Sequence, residues 1–344
     1  MAASTASSHP SPERIFNVMI AFQETEALRA AIELDLFTAI AEGANTAASL
    51  AAKIGARERG VRILCDYLTI KEFLAKDGER YALTQESAAF LNRHSPAYLG
   101  SMVHFLASPL SKKNFSALAE AVRRGGTANE TGDHTRPHED MWVNFARSMA
   151  QLTAPTAEFI AGLAIPPNGD AYKVLDIAAG HGMFGITVAK RNAKAEIVAV
   201  DWPAVLEVAE ENARKHSVAD RFTARPGSAF EADLGHGYDF VLLTNIFHHF
   251  DPGTCEKLMR RVHAALKPGG KAITLEFVPN EDRVTPAIPA AFSLVMLAGT
   301  DSGDVYTFAQ YEKMFGNSGF VHTTLHPVPN MPQKVLVSVK QGQA

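Results

Sequence analysis

Three glycines in the stretch DIAAGHGMFGITVAK could bring the backbone close to a bound cofactor. Gly180, Gly182 and Gly185 form the pattern G-x-G-x-x-G between an apolar segment and a helical pattern. Glycine adopts backbone conformations, and allows close approaches, that other residues hinder. The pattern is typical of sites for nucleotide-like cofactors, among them dinucleotides whose pyrophosphate lies on the loop.

Two aspartates beside this loop indicate which cofactor it binds. Asp176 comes just before the loop, and Asp201 ends the next predicted strand, where an acid that binds a ribose is expected. A carboxylate at position 176 would repel a pyrophosphate, but it suits a cofactor with cationic groups and no phosphate. S-adenosylmethionine (SAM) carries an ammonium and a sulfonium, and its ribose hydroxyls could donate to Asp201. We therefore predict that Asp176, Gly180, Gly182 and Asp201 bind SAM.

A histidine and a glutamate near the ends of two later strands could act together as a base. His248 follows the predicted strand YDFVLLTNIF, and Glu276 lies near the end of KAITLEFV. The carboxyl ends of neighbouring parallel strands lie side by side, so the carboxylate could orient the imidazole. A phenolic hydroxyl, with a pKa of about 10, needs such a base at neutral pH. His248 and His249 could instead satisfy backbone groups where the next helix starts.

The second half of the chain must supply the sheet that places these side chains. From residue 171 onward, strands alternate with helices, which predicts an α/β, Rossmann-like domain with a mostly parallel sheet of seven strands. The predicted strands are KVLDIA, AEIVAVD, RFTARPG, YDFVLLTNIF, KAITLEFV, FVHTTLHPV and KVLVSVK.

The first half of the chain is predicted to be mainly helical. Three helical patterns and a short β-strand follow one another in the order of a winged-helix unit. We predict a disordered tail at 1–13, a winged-helix-like domain at 14–107, a helical linker at 108–155 and the cofactor-binding domain at 156–344. His134 and His138 lie in a polar loop of the linker, where we expect them to be solvated, and we predict no metal site.

The composition favours a globular protein of the cytoplasm. The net charge of -4 argues against a nucleic-acid partner, and two widely separated cysteines fit a reducing compartment. The N-terminus lacks the apolar segment of a signal peptide. The most apolar late stretch, PAIPAAFSLVMLAG, is too short and too rich in proline to span a membrane. We therefore expect neither a membrane nor a nucleic acid as partner.

The whole ordered set of motifs resembles a known family. The winged-helix-like region, DWP, GSAF and NIFHHFDP together resemble class I SAM-dependent O-methyltransferases of the caffeate type and their bacterial relatives, including hydroxyindole and polyketide enzymes. The resemblance implies that the first domain dimerises, that His248 is the base and that Glu276 buttresses it. It also implies that the cofactor contacts Trp202, in DWP, and the GSAF residues Ser228, Ala229 and Phe230.

The family pattern suggests further site residues and also shows departures. It places Phe145, Met149 and Met296 in the substrate pocket, and Thr153 and Asn245 near the cofactor. The departures are Ala178 for a loop glycine, Ser228 for an aspartate, His249 for an aspartate and Val305 for a second buttressing glutamate.

The sequence thus predicts a homodimeric enzyme that moves a methyl group from SAM to a hydroxyl of a small, aromatic acceptor. Two alternatives stay open. The same fold could methylate sulfur or carbon, since a thiol with a pKa of about 8.5 needs less help from a base. The winged-helix unit, with Arg57, Arg59 and Arg62 on one helix, could instead bind DNA in a regulator that senses SAM. The sequence does not name the acceptor or the pathway.

Overall fold

The computed structural model describes residues 10–129, 133–134, 139–150, 152–164 and 169–342. The chain divides into two compact units, Met1–Ala107 and Ser108–Ala344. Within the described ranges, no helix is both long and apolar enough to cross a membrane.

The first unit is a helical domain with a short β-hairpin. Its helices and strands are α1 (Glu13–Ile20), α2 (Phe22–Glu33), α3 (Leu36–Ala41), α4 (Ala47–Ile54), α5 (Glu58–Ile70), β1 (Leu74–Asp77), β2 (Arg80–Leu83), α6 (Gln85–Phe90) and α7 (Val103–Leu106). Thr46 caps the start of α4 and Gly55 ends it in a left-handed conformation, as helix-end preferences predict. The core packs around Phe37, Leu50 and Leu68, which are buried.

In the described residues of the second unit, four helices come first, followed by alternating strands and helices. The helices are α8 (Pro109–Ser116), α9 (Leu118–Arg124), α10 (Glu139–Met149), α11 (Ala154–Ala164), α12 (Met183–Arg191), α13 (Pro203–Lys215), α14 (Pro252–Ala265), α15 (Ala287–Gly299) and α16 (Phe308–Asn317). The strands are β3 (Lys173–Ile177), β4 (Glu196–Asp201), β5 (Phe222–Pro226), β6 (Tyr238–Thr244), β7 (Leu266–Glu276), β8 (Phe320–Pro327) and β9 (Lys334–Lys340).

Across the described residues, these strands form one seven-stranded sheet in the order β5-β4-β3-β6-β7-β9-β8. The first five strands of that order run parallel, and β9 runs antiparallel to both of its neighbours. This is the mostly parallel α/β sheet that the alternating sequence pattern predicts, and that prediction is confirmed.

The register of the sheet brings the chemically important residues to one edge. Asp176 of β3 pairs with Ala199 of β4 on one side and Leu242 of β6 on the other. Asp201 and Glu276 are the last residues of β4 and β7, and Thr244 ends β6 beside β7. Ligands bind at such carboxyl ends, above all where the strand order reverses, as it does between β3 and β6.

Apolar packing on both faces of the sheet holds that edge in place. On one face, side chains of α11, α12 and α13 pack against β3 and β4, and on the other α14 and α16 pack against β6 and β7. Leu175 and Ile177 of β3 are fully buried. Burial of one such side chain stabilises the fold by about 1.5–3 kcal/mol, which keeps the central strands rigid under the loops that follow them.

The segment 108–155, predicted as a linker, lies in the same compact unit as the sheet. The predicted tail lies largely outside the described residues, and Glu13 already begins α1. The arginine pattern of α5 includes an internal ion pair, because Arg62 donates to Asp66 at 2.8 Å.

Candidate active site

A cavity of about 190 Å³ opens at the carboxyl ends of β3, β4 and β6. Most of the predicted cofactor and substrate residues line it, and the side nearest α10 is aromatic. Its lining residues are His134, Trp142, Phe145, Met149, Thr153, Ala178, Ala179, Gly180, His181, Phe184, Val200, Asp201, Trp202, Val205, Gly227, Ser228, Ala229, Phe230, Thr244, Asn245, Ile246, His249 and Phe250.

The glycine loop and Asp201 fix one another. The backbone N–H of Gly180 donates to Oδ2 of Asp201 at 2.8 Å, and the N–H of Trp202 donates to Oδ1 at 2.7 Å. Gly182 is the N-cap residue of α12, with a φ of 72°, and a Cβ there would lie 2.9 Å from the Cβ of Ala209. Both its conformation and its close packing therefore require glycine.

Asp176 lies beneath this loop. Its Oδ2 accepts the N–H of Gly185 at 3.1 Å, and its side chain is fully buried. No described residue forms a hydrogen bond with Oδ1 of Asp176. Burial raises the pKa of Asp176 to about 8, and burial also raises the pKa of Asp201 to about 6. The site therefore stabilises cations, because a positive charge nearby would favour both ionised carboxylates.

Asn245 provides a second oxygen without a partner at the cavity. It follows β6 in a left-handed conformation, with a φ of 57°, and its N–H donates to the carbonyl of Leu275 at 2.8 Å. Its side-chain Oδ1 is buried, and no described residue donates to it. Asp176, Asp201 and Asn245 all carry oxygen acceptors, and none of them carries a positive charge. They therefore fit the ammonium, sulfonium and ribose hydroxyls of SAM.

Aromatic rings form the end of the cavity at which an adenine would fit. The rings of Phe230 and Phe250 meet edge to face, with centroids 4.9 Å apart. The Oγ of Ser228 accepts the N–H of Phe230 at 3.2 Å, which fixes the turn after Gly227. Ser228 replaces the family's aspartate and retains a hydrogen-bonding side chain, while Trp202 lines the same cavity.

His181 joins the glycine loop to the segment after α10, and sequence reasoning missed it. Its Nδ1 accepts the N–H of Met183 at 3.1 Å, so Nε2 carries the proton and can donate to Oγ1 of Thr153, 2.9 Å away. Oγ1 of Thr153 in turn donates to the carbonyl of Met149 at 2.9 Å. Burial lowers the pKa of His181 to about 4, which keeps the imidazole neutral. Its position between Gly180 and Gly182 is the sequence signal that could have identified it as a residue of the cofactor site.

His248 and Glu276 form a buried pair at the end of the sheet. Nδ1 of His248 lies 2.6 Å from Oε2 of Glu276, and Oε1 of the same carboxylate accepts the N–H of Phe247 at 2.8 Å. His248 is 3% exposed and Glu276 is fully buried. The carboxylate therefore holds the proton of the imidazole at Nδ1 and leaves Nε2 as the basic nitrogen.

The ring of His248 borders aromatic side chains and not the cavity itself. The centroid of Phe292, on α15, lies 5.0 Å from that of His248, and Phe277 stacks on Phe292 at 4.2 Å. Both phenylalanines are half-buried. Phe277 and Phe292 thus form an apolar surrounding on one side of the His248 ring.

His249, the next residue, lies in the cavity wall. Its ring centroid is 4.4 Å from that of His248, 5.5 Å from that of Trp142 and 6.4 Å from that of His134. Burial, with His248 and His134 nearby, holds the pKa of His249 well below its usual range. The expectation that His134 is solvated is wrong, because Gly299 packs directly against its ring and leaves it only partly exposed. His138 lies outside the described residues.

The predicted residues thus fall into three groups. Ten line the cavity: Gly180, Asp201, Trp202, Ser228, Ala229, Phe230, Asn245, Thr153, Phe145 and Met149. Asp176, Gly182, His248 and Glu276 support its floor and edge from buried positions. Met296 is 1% exposed on α15 and does not line the cavity, and Val305, at the position of the second glutamate, is buried as well. No cluster of metal-binding side chains occurs within the described ranges.

Two protein families match the chain. The O-methyltransferase domain matches residues 169–321, and the O-methyltransferase dimerisation domain matches residues 16–93. Among characterised relatives, 3-hydroxy-5-methyl-1-naphthoate 3-O-methyltransferase of Streptomyces sahachiroi is 27% identical over 329 residues, which cover 93% of each chain.

Solved structures of O-methyltransferases are also similar to this chain. A protein of Nostoc punctiforme PCC 73102, assigned as an O-methyltransferase, superposes with a TM-score of 0.92 at 50% identity, over 96% of this chain and 100% of that one. The SAM-dependent methyltransferase PigF of Serratia sp. (strain ATCC 39006) is 25% identical over 94% of each chain. Its structure with SAH, the demethylated form of the cofactor, superposes with a TM-score of 0.85 over 96% of this chain and 100% of that one.

Proposed function

Because the chain belongs to the O-methyltransferase family, whose catalytic domain follows a dimerisation domain, we propose that its acceptor is a hydroxyl of a small aromatic molecule and that His248 removes the proton. The methyl donor of this enzyme is SAM, as in relatives with bound SAH. The buried pair of His248 and Glu276 is the observation that carries the proposal.

The chain's own residues bind and align the reactants. SAM, when bound, supplies a methyl group on a cationic sulfur that is already a good leaving group. Asp201 accepts from the ribose, and Asp176 and Asn245 stabilise positive charge. Holding the acceptor oxygen in line with the methyl group supplies a large part of the rate.

His248 is the base that accepts the proton of the acceptor hydroxyl. Its Nδ1 is held by Glu276, so Nε2 accepts the proton of the acceptor hydroxyl as the new C–O bond forms. The carboxylate stabilises the resulting imidazolium. Phe292 of α15 lies against His248, and Trp142 of α10 lies against its neighbour His249, so aromatic side chains that suit a flat acceptor lie near the base.

We also propose that the enzyme works as a homodimer in the cytoplasm. The dimerisation domain carries large apolar side chains on its first two helices that are exposed in the single chain. They are Ile15, Phe16, Val18, Met19, Ile20 and Phe22, each between 48% and 69% exposed. Side chains of this kind are buried when two copies associate around a two-fold axis.

One experiment tests the acceptor class. The enzyme is incubated with isotope-labelled SAM and matched aromatic alcohols, thiols and compounds with an activated ring carbon, and products are identified by mass spectrometry. We expect methyl ethers of the aromatic alcohols. Methyl thioethers or ring-methylated products without ethers would show that the acceptor is sulfur or carbon, and would overturn the proposal.

A further inference from the structure

Arg261 on α14 is a charged residue that the proposed mechanism does not use. Its neighbour Arg260 is exposed and pairs with Glu256, one turn earlier in the helix, at 2.7 Å. Arg261 is only partly exposed, and its guanidinium contacts the backbone of the turn after β5. Nη1 donates to the carbonyl of Ala229 at 3.0 Å, and Nη2 donates to the carbonyl of Ala232. The guanidinium therefore bridges two carbonyls that lie three residues apart in one turn.

The turn that the guanidinium bridges borders the cavity at its aromatic end. Ser228, Ala229 and Phe230 all line the cavity. Just before them, the N–H of Gly227 donates to the carbonyl of Asp201 at 2.9 Å. One end of the turn is thus fixed to the end of β4, and the guanidinium fixes the other end to α14.

An arginine is well suited to this position. Its planar guanidinium presents several N–H donors in a rigid fork, so it can hold two carbonyls at once, whereas a lysine ammonium is a compact charge on a flexible stem. The chain beyond the turn has a tie of its own, because Oη of Tyr238 donates to the carbonyl of Leu234 at 2.8 Å. Loss of the guanidinium would therefore release the turn and leave the following segment in place.

The helix that carries Arg261 also begins beside the base. Asp251 is the N-cap residue of α14, and it follows the short turn that contains His248. Phe250, between them, meets Phe230 edge to face with centroids 4.9 Å apart. One helix thus connects the turn of the base with the turn at the aromatic end of the cavity.

We propose that Arg261 is a positioning residue for the cofactor. By holding the carbonyls of Ala229 and Ala232, it keeps Ser228 and Phe230 in the arrangement that receives the adenine of SAM. This inference rests on the proposed function, in which SAM binds with its adenine at this end of the cavity. The guanidinium contacts the backbone and not the cofactor, so its effect is confined to the affinity for the adenosine part.

Equilibrium binding tests this role without any methyl acceptor. Calorimetry measures the affinities for SAH and for adenosine, which lacks the amino-acid part of the cofactor. Arg261→Met keeps an unbranched apolar stem but has no donor. It should weaken the binding of both ligands by the same factor, about tenfold, the usual effect of losing hydrogen bonds from a charged group. The number of protons released when SAH binds should equal that of the parent, because Asp176 and Asp201 keep their surroundings.

Two further variants assign the effect to the two hydrogen bonds. Arg260→Met removes the guanidinium next to it in the helix, and it should bind SAH and adenosine as the parent does. Arg261→Lys keeps a donor for one carbonyl and should show a smaller loss, again equal for the two ligands. If Arg261→Met fails to fold, Arg261→Lys provides the same comparison.

Several results would overturn the inference. It is overturned if the Arg261 variants bind SAH as the parent does, or if they lose affinity for SAH and not for adenosine. A changed proton release would also overturn it, since the whole cofactor site would then be disturbed. The outcome is separable from that of the proposed function. An enzyme that forms methyl ethers while Arg261→Met binds SAH normally would support O-methylation and contradict the role of Arg261. The expected losses of affinity without any methyl ether would do the reverse.

Discussion

Nδ1 of His248 lies 2.6 Å from Oε2 of Glu276, while the other oxygen of that carboxylate accepts the backbone N–H of Phe247. Glu276 ends β7, and His248 follows β6, which pairs with β7 in parallel. The sheet itself therefore sets the distance between the two side chains. Both oxygens of the carboxylate are engaged, so it has one orientation available and gives the imidazole one tautomer.

The first prediction concerns this tautomer. In Glu276→Gln, the amide oxygen can still accept from Phe247, and the amide N–H₂ then faces His248. Nδ1 becomes an acceptor and the proton moves to Nε2, which can no longer receive one. We expect kcat to fall on the order of 10²–10⁴-fold with unchanged affinity for SAM, measured by steady-state kinetics and calorimetry.

A matched control is Glu312→Gln, which removes a carboxylate from the exposed side of α16. It should retain kcat within about twofold, as surface substitutions usually have small effects. Parental turnover in Glu276→Gln would show that the pair has only a structural role.

The second prediction concerns the pH dependence of SAM binding. In the protein without cofactor, burial raises the pKa of Asp176 to about 8 and that of Asp201 to about 6. A cationic ligand favours the ionised carboxylates, so binding releases protons at neutral pH. Affinity for SAM should therefore rise between pH 6 and pH 7.5. Calorimetry in buffers of different ionisation enthalpy counts the protons released.

The raised pKa values of Asp176 and Asp201 also affect the stability of the cofactor-free protein. Between about pH 6.5, the usual pKa of histidine, and pH 8, the folded protein holds a proton on Asp176 that the unfolded chain has lost, so stability should fall as the pH rises through this range. At lower pH the neutral imidazoles of His181 and His249 oppose this effect, because only the unfolded chain protonates them. Asp176→Asn removes the group that titrates at the higher pH. It should bind SAM about tenfold more weakly or worse at pH 7.5, with less proton release. Proton release equal to that of the parent would rule out Asp176 as its source.

The third prediction concerns Gly185, in the first turn of α12. A Cβ at Gly185 would lie 2.6 Å from Cγ2 of Ile197 and 3.1 Å from Oδ2 of Asp176. Gly185→Ala should lower the free energy of unfolding by about 1–3 kcal/mol, the usual cost of overpacking, and weaken SAM binding because Asp176 must move.

Gly316 provides the comparison, because it lies within α16 and a Cβ there would meet nothing within 4 Å. Gly316→Ala should be neutral or stabilise by about 0.4–1 kcal/mol. Urea unfolding measures both variants. A Gly185→Ala protein as stable as the Gly316→Ala protein would contradict the close packing described at Gly185.

The fourth prediction concerns the dimer. Phe16 and Met19 are 60% and 67% exposed on α1. The double change Phe16→Glu and Met19→Glu should convert a dimer into a monomer in light scattering at micromolar concentration, because charges replace the buried apolar contacts. The charge reversal Lys313→Glu, on the exposed side of α16, should leave the dimer intact. A parent protein that is monomeric in the same measurement would contradict the prediction.

Much of the sheet and of the cofactor site follows from local sequence. Apolar runs separated by helical patterns are enough to predict a parallel sheet, and the strand ends then place Asp176 and Asp201 together. The pairing of His248 with Glu276 follows from the same reasoning, because neighbouring strands end at the same edge. The caps Thr46 and Gly55 are also local signals, and α4 begins and ends beside them.

The aromatic side of the cavity could not be predicted in this way. Trp142 of α10 and the nearby His134 both meet His249, which follows β6 and lies far from them in the chain. His134 looks solvated in a polar sequence, and only the lack of a side chain at Gly299 lets its ring pack there. Likewise, the link from His181 to Thr153 depends on where the segment after α10 lies.

The most direct test of the account is the pH dependence of turnover by His248→Ala with a hydroxylated aromatic acceptor. The variant should bind SAM as the parent does, and its kcat should be lower by about 10²–10⁴-fold at neutral pH. The difference should shrink as the pH approaches the acceptor's own pKa of about 10, because more of the acceptor is then already ionised. Turnover close to that of the parent enzyme across the whole pH range would contradict the assignment of His248 as the base.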